Sequence, residues 1–207
     1  MKKLFLAILM LSVVGASFSQ EEKKQFIHKG ILRAQATISP GIMLKENVST
    51  ISIHGNLEYY VADNVSIRGD GYYGLKISEP NWDKVTFGGA FPFMYSNHSV
   101  FAGASYHFKT KNHFDPYLCL EPGMSLSQSV IGIGTTDGYL YSNTSINPLI
   151  SPAFGFNFYF QRVFHLFAEA RYISGKHLSD DATPSSLNEL RFSLGLGWNL
   201  NLIKQKK

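Results

Sequence analysis

The chain has 207 residues, enough for one domain with sizeable loops. Charged residues make up only 16% against the ~25% usual for soluble domains, while aromatics reach 14%. The net charge is +4 and its excess sits largely at the two ends, so no basic surface for nucleic acid is expected. The single cysteine, Cys119, excludes a disulfide framework and any CxxC redox or zinc motif.

The chain opens with "MKKLFLAILMLSVVGASFSQ": two lysines, an apolar run from Leu4 to about Ala16, then small residues. This is the pattern of a secretory signal peptide, expected over 1–19. The run is shorter than the ~20 residues that a helical span needs. A short periplasmic segment is expected over 20–28, a β-barrel over 29–203 and a basic tail over 204–207.

From residue 29 the apolar positions recur at every second residue, the strand period. In "KGILRAQATISPGIML" (29–44), Leu32, Ala34, Ala36 and Ile38 share one face, with Arg33, Gln35 and Thr37 on the other. Residues 50–61, 65–77, 99–108, 116–126, 151–160, 164–172 and 188–200 repeat the pattern, which predicts eight strands. In "SPAFGFNFYFQRVFHLFAEARY", Phe154, Phe156, Phe158 and Phe160 form one stripe, and Phe164, Leu166, Ala168, Ala170 and Tyr172 continue it after a polar break. Strands of ten residues or more exceed the ~5–6 of ordinary soluble sheets and fit the ~9–11 of membrane strands. Three connections (62–64, 109–115 and 161–163) are short. The segments 78–98, 127–148 and 176–187 read as long loops, the asymmetry of outer-membrane barrels. Residues 84–94 leave a further strand open.

The polar face carries Arg33, Glu58, Arg68, Asp70, Lys76, Glu121, Glu169, Arg171, Glu189 and Arg191, five basic and five acidic. Inside a narrow barrel they are expected to pair across the lumen and fill it. The apolar face carries Tyr59, Tyr73, Tyr106, Phe154, Phe156, Phe158, Phe160, Tyr172, Phe192 and Trp198, expected to face the membrane, several of them at headgroup depth. Alternation alone does not separate this arrangement from a soluble lipocalin-like barrel turned inside out. The export signal, strand length and loop asymmetry favour lipid on the apolar side.

The leader, the alternating strands, "FAGASYHF" and the closing "LRFSLGLGWNL" resemble the small outer-membrane β-barrel proteins, the OmpA/OmpX-like group. The resemblance covers nearly all of the chain after the leader. It implies an eight-stranded antiparallel up-and-down transmembrane β-barrel in the bacterial outer membrane, with lipid and the barrel-assembly machinery as partners. That machinery commonly reads a terminal aromatic residue. Here "NLIKQKK" follows the last strand, and Trp198 is the aromatic that stands nearest.

Other motifs are weaker. "GDGYYG" (69–74) matches GxGxxG but sits inside a strand pattern and opens no helix that offers its N-terminus to a phosphate. The seven histidines show no metal-ligand spacing, and no metal or cofactor is expected. "KHLSDD" (176–181) is similar to the outer-membrane lipid A deacylases, which implies Ser179 as nucleophile, His177 as base and Glu189 as the group orienting it. Against this, Asp180 stands where that family usually has Asn, and Glu189 has the parity of the lumen. The expected function is therefore non-enzymatic: a barrel with a filled polar lumen that acts structurally or through loops 78–98, 127–148 and 176–187 on an extracellular partner. A passive small-solute pore, an esterase and a soluble barrel are the alternatives.

Overall fold

The computed structural model of the chain describes residues 26–45, 47–77, 93–108, 113–133, 139–161, 163–180 and 185–202. Its strands are β1 (Ile31–Met43), β2 (Val48–Ala62), β3 (Val65–Ile77), β4 (Phe93–His107), β5 (Phe114–Ile133), β6 (Tyr139–Tyr141), β7 (Ser145–Tyr159), β8 (Phe164–His177), β9 (Ser185–Ser186) and β10 (Glu189–Asn201). β6 and β9 are short extensions paired to β5 and β8. The other eight strands form one antiparallel sheet in the order β10–β1–β2–β3–β4–β5–β7–β8, and β8 pairs again with β10. The sheet is thus closed. Closure leaves no edge strand, so the ladder satisfies its backbone groups internally, as a hydrocarbon surround demands.

The eight strands of the sequence pattern are these eight. Several run longer than their apolar alternation suggests. β5 spans 20 residues, and β4 and β7 begin before residues 99 and 151. The strands therefore reach into all three segments read as long loops. The reason lies in the side chains there. Ser125, Ser127 and Ser129 keep the inward phase with hydroxyl groups, so the hydrophobic contrast fades while the ladder continues. Of residues 84–94, Phe93 and Met94 open β4, and the rest lie outside the described residues, as do the leader at 1–19 and the tail at 204–207.

The start of β1, the end of β10 and the strand ends that flank 63–64, 108–113 and 160–163 share one end of the barrel. The strand ends that flank 44–47, 78–92, 134–144 and 178–188 share the other. In outer-membrane barrels the short-turn end faces the periplasm and the longer loops face outward. The shortest outer connection turns at Asn47, whose φ of 54° lies in the left-handed region that asparagine tolerates.

An eight-stranded lumen is just wide enough for side chains to fill it. Large inward groups therefore sit opposite glycines. A Cβ on Gly155 would stand 2.5 Å from the Tyr117 ring and 2.8 Å from the Ala168 carbonyl oxygen, and a Cβ on Gly197 would run into the His165 ring. Gly155→Val is expected to destabilise the barrel by about 1–3 kcal/mol through overpacking. Urea unfolding from lipid vesicles measures it, and an unchanged midpoint would show that Tyr117 can move aside.

Candidate functional site: a charge-filled lumen

Strand parity decides which residues line the interior. In β1 the inward residues are odd-numbered (Arg33, Gln35), in β2 and β3 even-numbered (His54, Glu58; Arg68, Asp70), and in β5, β7, β8, β10 and, from Asn97 on, β4 odd-numbered; a register shift between Met94 and Ser96 turns the even-numbered Met94 inward. Of the expected lumen charges, Arg33, Glu58, Arg68, Asp70, Glu121, Glu169, Arg171, Glu189 and Arg191 are all buried. Lys76 stands in β3, and its side chain lies outside the described residues.

These groups form three tiers along the axis. Nearest the short-turn end, the Arg33 guanidinium donates to Glu58 and lies 3.2 Å from Asp115 Oδ2. His107 bridges the same two carboxylates, with Nε2 2.9 Å from Glu58 and Nδ1 2.9 Å from Asp115. Tyr159 donates to Asp115 at 3.2 Å, Asn157 donates to it at 2.9 Å, and Ser66 donates to Glu58. Both imidazole nitrogens thus face acceptors, a geometry that a doubly protonated ring satisfies with two donors.

The middle tier joins two arginines and three carboxylates. Arg68 donates Nε and Nη2 to the two Asp70 oxygens at 2.6 and 2.7 Å, and its Nη2 lies 2.6 Å from Glu169. Arg171 donates to Glu121, reaches Glu169 at 3.1 Å and Asp70 at 3.3 Å. Tyr117 donates to Glu169 at 2.8 Å, and His54 Nε2 lies 2.7 Å from Asp70. The guanidinium groups also stack on rings. Arg68 lies 5.5 Å from the Tyr117 centroid and Arg171 lies 5.3 Å from that of Phe101, within cation–π range. His54, Asp70 and Glu169 present ligand atoms within 4.8 Å of one another. Both carboxylates there are already bonded to arginine, so the charge is compensated without a metal ion.

The third tier, toward the long connections, pairs Arg191 with Glu189 at 2.7 Å. Arg191 also donates to Ser99 at 2.8 Å and lies over the Tyr72 ring at 4.5 Å. Glu189 accepts from Thr50 as well. Beyond it the polar filling gives way to an apolar layer of Met43, Val48, Met94, Leu149, Ile173 and Leu187, packed on Tyr72 and Phe101. Further out, His177 is buried among serines, 2.9 Å from Ser127 and 3.0 Å from Ser145.

The structure does not set Glu189 behind His177. The Glu189 carboxylate is occupied by Thr50, Asn97 and Arg191. Ser179 is half-buried just after β8. The "GDGYYG" glycines lie within β3, and no phosphate loop forms there.

Sequence reasoning missed two features of the lumen. One is Asp115, assigned to the 109–115 turn although it shares the phase of Tyr117, Cys119 and Glu121. With it, the described lumen holds six carboxylates against four arginines, and every carboxylate touches an arginine. The other is the apolar layer. Met43 and Ile173 occupy inward positions that continue the polar face, and Leu187, in a segment read as a loop, joins them; the inward phase of "RYISGKH" was the available signal.

Between its rims the outward face is a band of rings and aliphatic side chains. Tyr73, Tyr106, Phe154, Phe156, Phe158, Tyr172, Phe192 and Trp198 are exposed, and Tyr59 and Phe160 are partly so. Leu194 is 71% exposed and Ile146 66%. A water-soluble barrel buries such residues inside; here the interior holds the charges and the exterior the rings. No helix among the described residues is long and apolar enough to cross a membrane, and it is the strands that present the apolar band. The fold is that of a transmembrane β-barrel of the outer-membrane class.

No family model matches the chain, and no curated protein matches it in sequence. Solved structures match its shape. The outer membrane protein OprG from Pseudomonas aeruginosa superposes with a TM-score of 0.60 at 8% identity, covering 86% of this chain and 99% of that one. The N-terminal β-barrel domain of OprF from the same organism gives 0.55 at 15% identity, over 84% and 99%. Ail, the attachment invasion locus protein of Yersinia pestis, gives 0.53 at 11% identity, over 83% and 99%. At these identities the likeness is one of fold: the small outer-membrane barrel.

Proposed function

We infer that the protein is a non-enzymatic resident of the bacterial outer membrane, working through its outer wall and extracellular loops rather than by passing solute. The carrying observation is the middle tier. Arg68, Arg171, Asp70, Glu121 and Glu169 come from β3, β5 and β8 and meet across the lumen, all buried. Buried charges held this way are costly to part, and the apolar layer beyond them offers a permeant ion no ligands. The loops around 78–98, 127–148 and 176–187 are the surface left to meet an extracellular partner. The barrel-assembly machinery is the expected partner in biogenesis.

Planar-bilayer recording tests this. The folded protein is expected to give no discrete channel openings, and Arg68→Ala combined with Arg171→Ala is expected to give them. Discrete openings from the unmodified barrel would favour the small-solute pore instead.

A further inference from the structure

We propose that the wall formed by β1, β10 and β8 carries a built site for one phosphorylated amphiphile: an anionic headgroup pocket at the outer rim, with a groove for its acyl chain beneath. This rests on the reading of the chain as an outer-membrane barrel.

The rim pocket has a volume of about 460 Å³ and is lined by Lys45, Ser174, Lys176, Ser186 and Asn188, among others. Lys45 and Lys176 are exposed. The ion pairs among the described residues all lie in the lumen, so neither ammonium group has an acidic partner among the described residues. Cross-strand register fixes the depth of the pocket. Ile42 faces Leu190, and Leu190 faces Tyr172, forming an apolar row across the three strands. Ser174 and Lys176 are the next outward residues of β8, about 7 and 13 Å further along the strand. Lys176 pairs with Ser186, and Asn188 accepts from the Gly175 N–H at 3.2 Å. Polarity therefore switches immediately above an aromatic residue, at the level where headgroups sit.

Below the row β8 forms the floor of an apolar groove of about 470 Å³, walled by β7 on one side and by β10 on the other, with Ile38 and Pro40 of β1 at its edge. Its floor is Ala168 and Ala170. Register places Phe154 and Phe192 on either side of Ala170, and Phe156 and Leu194 on either side of Ala168. Small residues flanked by large ones make a channel along the wall instead of a smooth face. Ammonium and hydroxyl groups above and a methyl-floored channel below complement a phosphate-bearing headgroup with its chain.

Native mass spectrometry of the purified full barrel in detergent micelles tests the site, with dipalmitoyl phosphatidic acid, dipalmitoyl phosphatidylcholine and inorganic phosphate as probes. The expected result is a one-to-one complex with phosphatidic acid, favoured over phosphatidylcholine and not displaced by inorganic phosphate. Lys45→Gln with Lys176→Gln is expected to weaken it about thirtyfold. Dihexanoyl phosphatidic acid, added as a short-chain probe, is expected to bind more weakly than the dipalmitoyl form, and Ala170→Phe, which fills the floor, is expected to abolish that difference. Equal binding of the two dipalmitoyl lipids, no effect of the double lysine variant, or displacement by phosphate alone would overturn the proposal. Heat-modifiable gel mobility, run in parallel, separates the two readings. A barrel that keeps its mobility shift but fails these tests loses only the lipid site. A chain with no shift loses the barrel reading and the site with it.

Discussion

Arg171→Met is expected to destabilise the barrel by about 3–5 kcal/mol, the cost of leaving buried carboxylates without their cation. Arg171 is the second guanidinium of the middle tier, shared by Glu121, Glu169 and Asp70. Without it, Arg68 alone faces three carboxylates. Adding Glu121→Gln removes one unpaired charge, so the double variant is expected to recover about 0.5–3 kcal/mol of the loss. Equilibrium urea unfolding from lipid vesicles, run as a double-mutant cycle, measures both. If the two changes simply add, the tier is a set of independent, water-screened charges and the case for a sealed lumen fails.

Leu194→Lys is the complementary test from outside. Leu194 lies near the middle of β10, points away from the lumen and is 71% exposed. In hydrocarbon, a lysine at midplane depth costs about 2–4 kcal/mol. On a wetted surface the same change falls within about 0.5 kcal/mol. Unfolding from vesicles is expected to show the larger value. A neutral result would mean that water, not lipid, bathes this wall. The two variants together probe the two solvents to which the strand alternation commits the chain, since the strands turn their charged and most of their polar groups inward and their rings and aliphatic groups outward.

Much of this architecture was legible in the residues. Phe154, Phe156 and Phe158 against Gly155, Asn157 and Tyr159 define a strand with two unlike faces, and the same pattern elsewhere defines eight strands. Which residues share a face follows from parity alone, because successive side chains point to opposite sides. The ends of the strands were less legible. Where serine replaces leucine along the inward phase of β5, the ladder persists without a hydrophobic signal. Asp115 was missed for a related reason, since a charged residue beside a polar turn resembles the turn.

The rim pocket and the groove below it were not legible at all. Lys45 and Lys176 lie far apart in the chain, and only the closing of β10 onto both β1 and β8 sets them at one rim. The same holds for the lumen. That Arg33, Asp115 and His107 meet in one tier, and Arg68, Glu121 and Arg171 in the next, depends on strand stagger around the barrel, which alternation does not encode. What the sequence by itself determined was the period: how many strands there are, which side chains share a face, and that one face is apolar and the other charged. Only the tertiary structure decided which solvent each face meets and which charges pair, because both are set by closure and shear, and these arise from hydrogen bonds between strands distant along the chain.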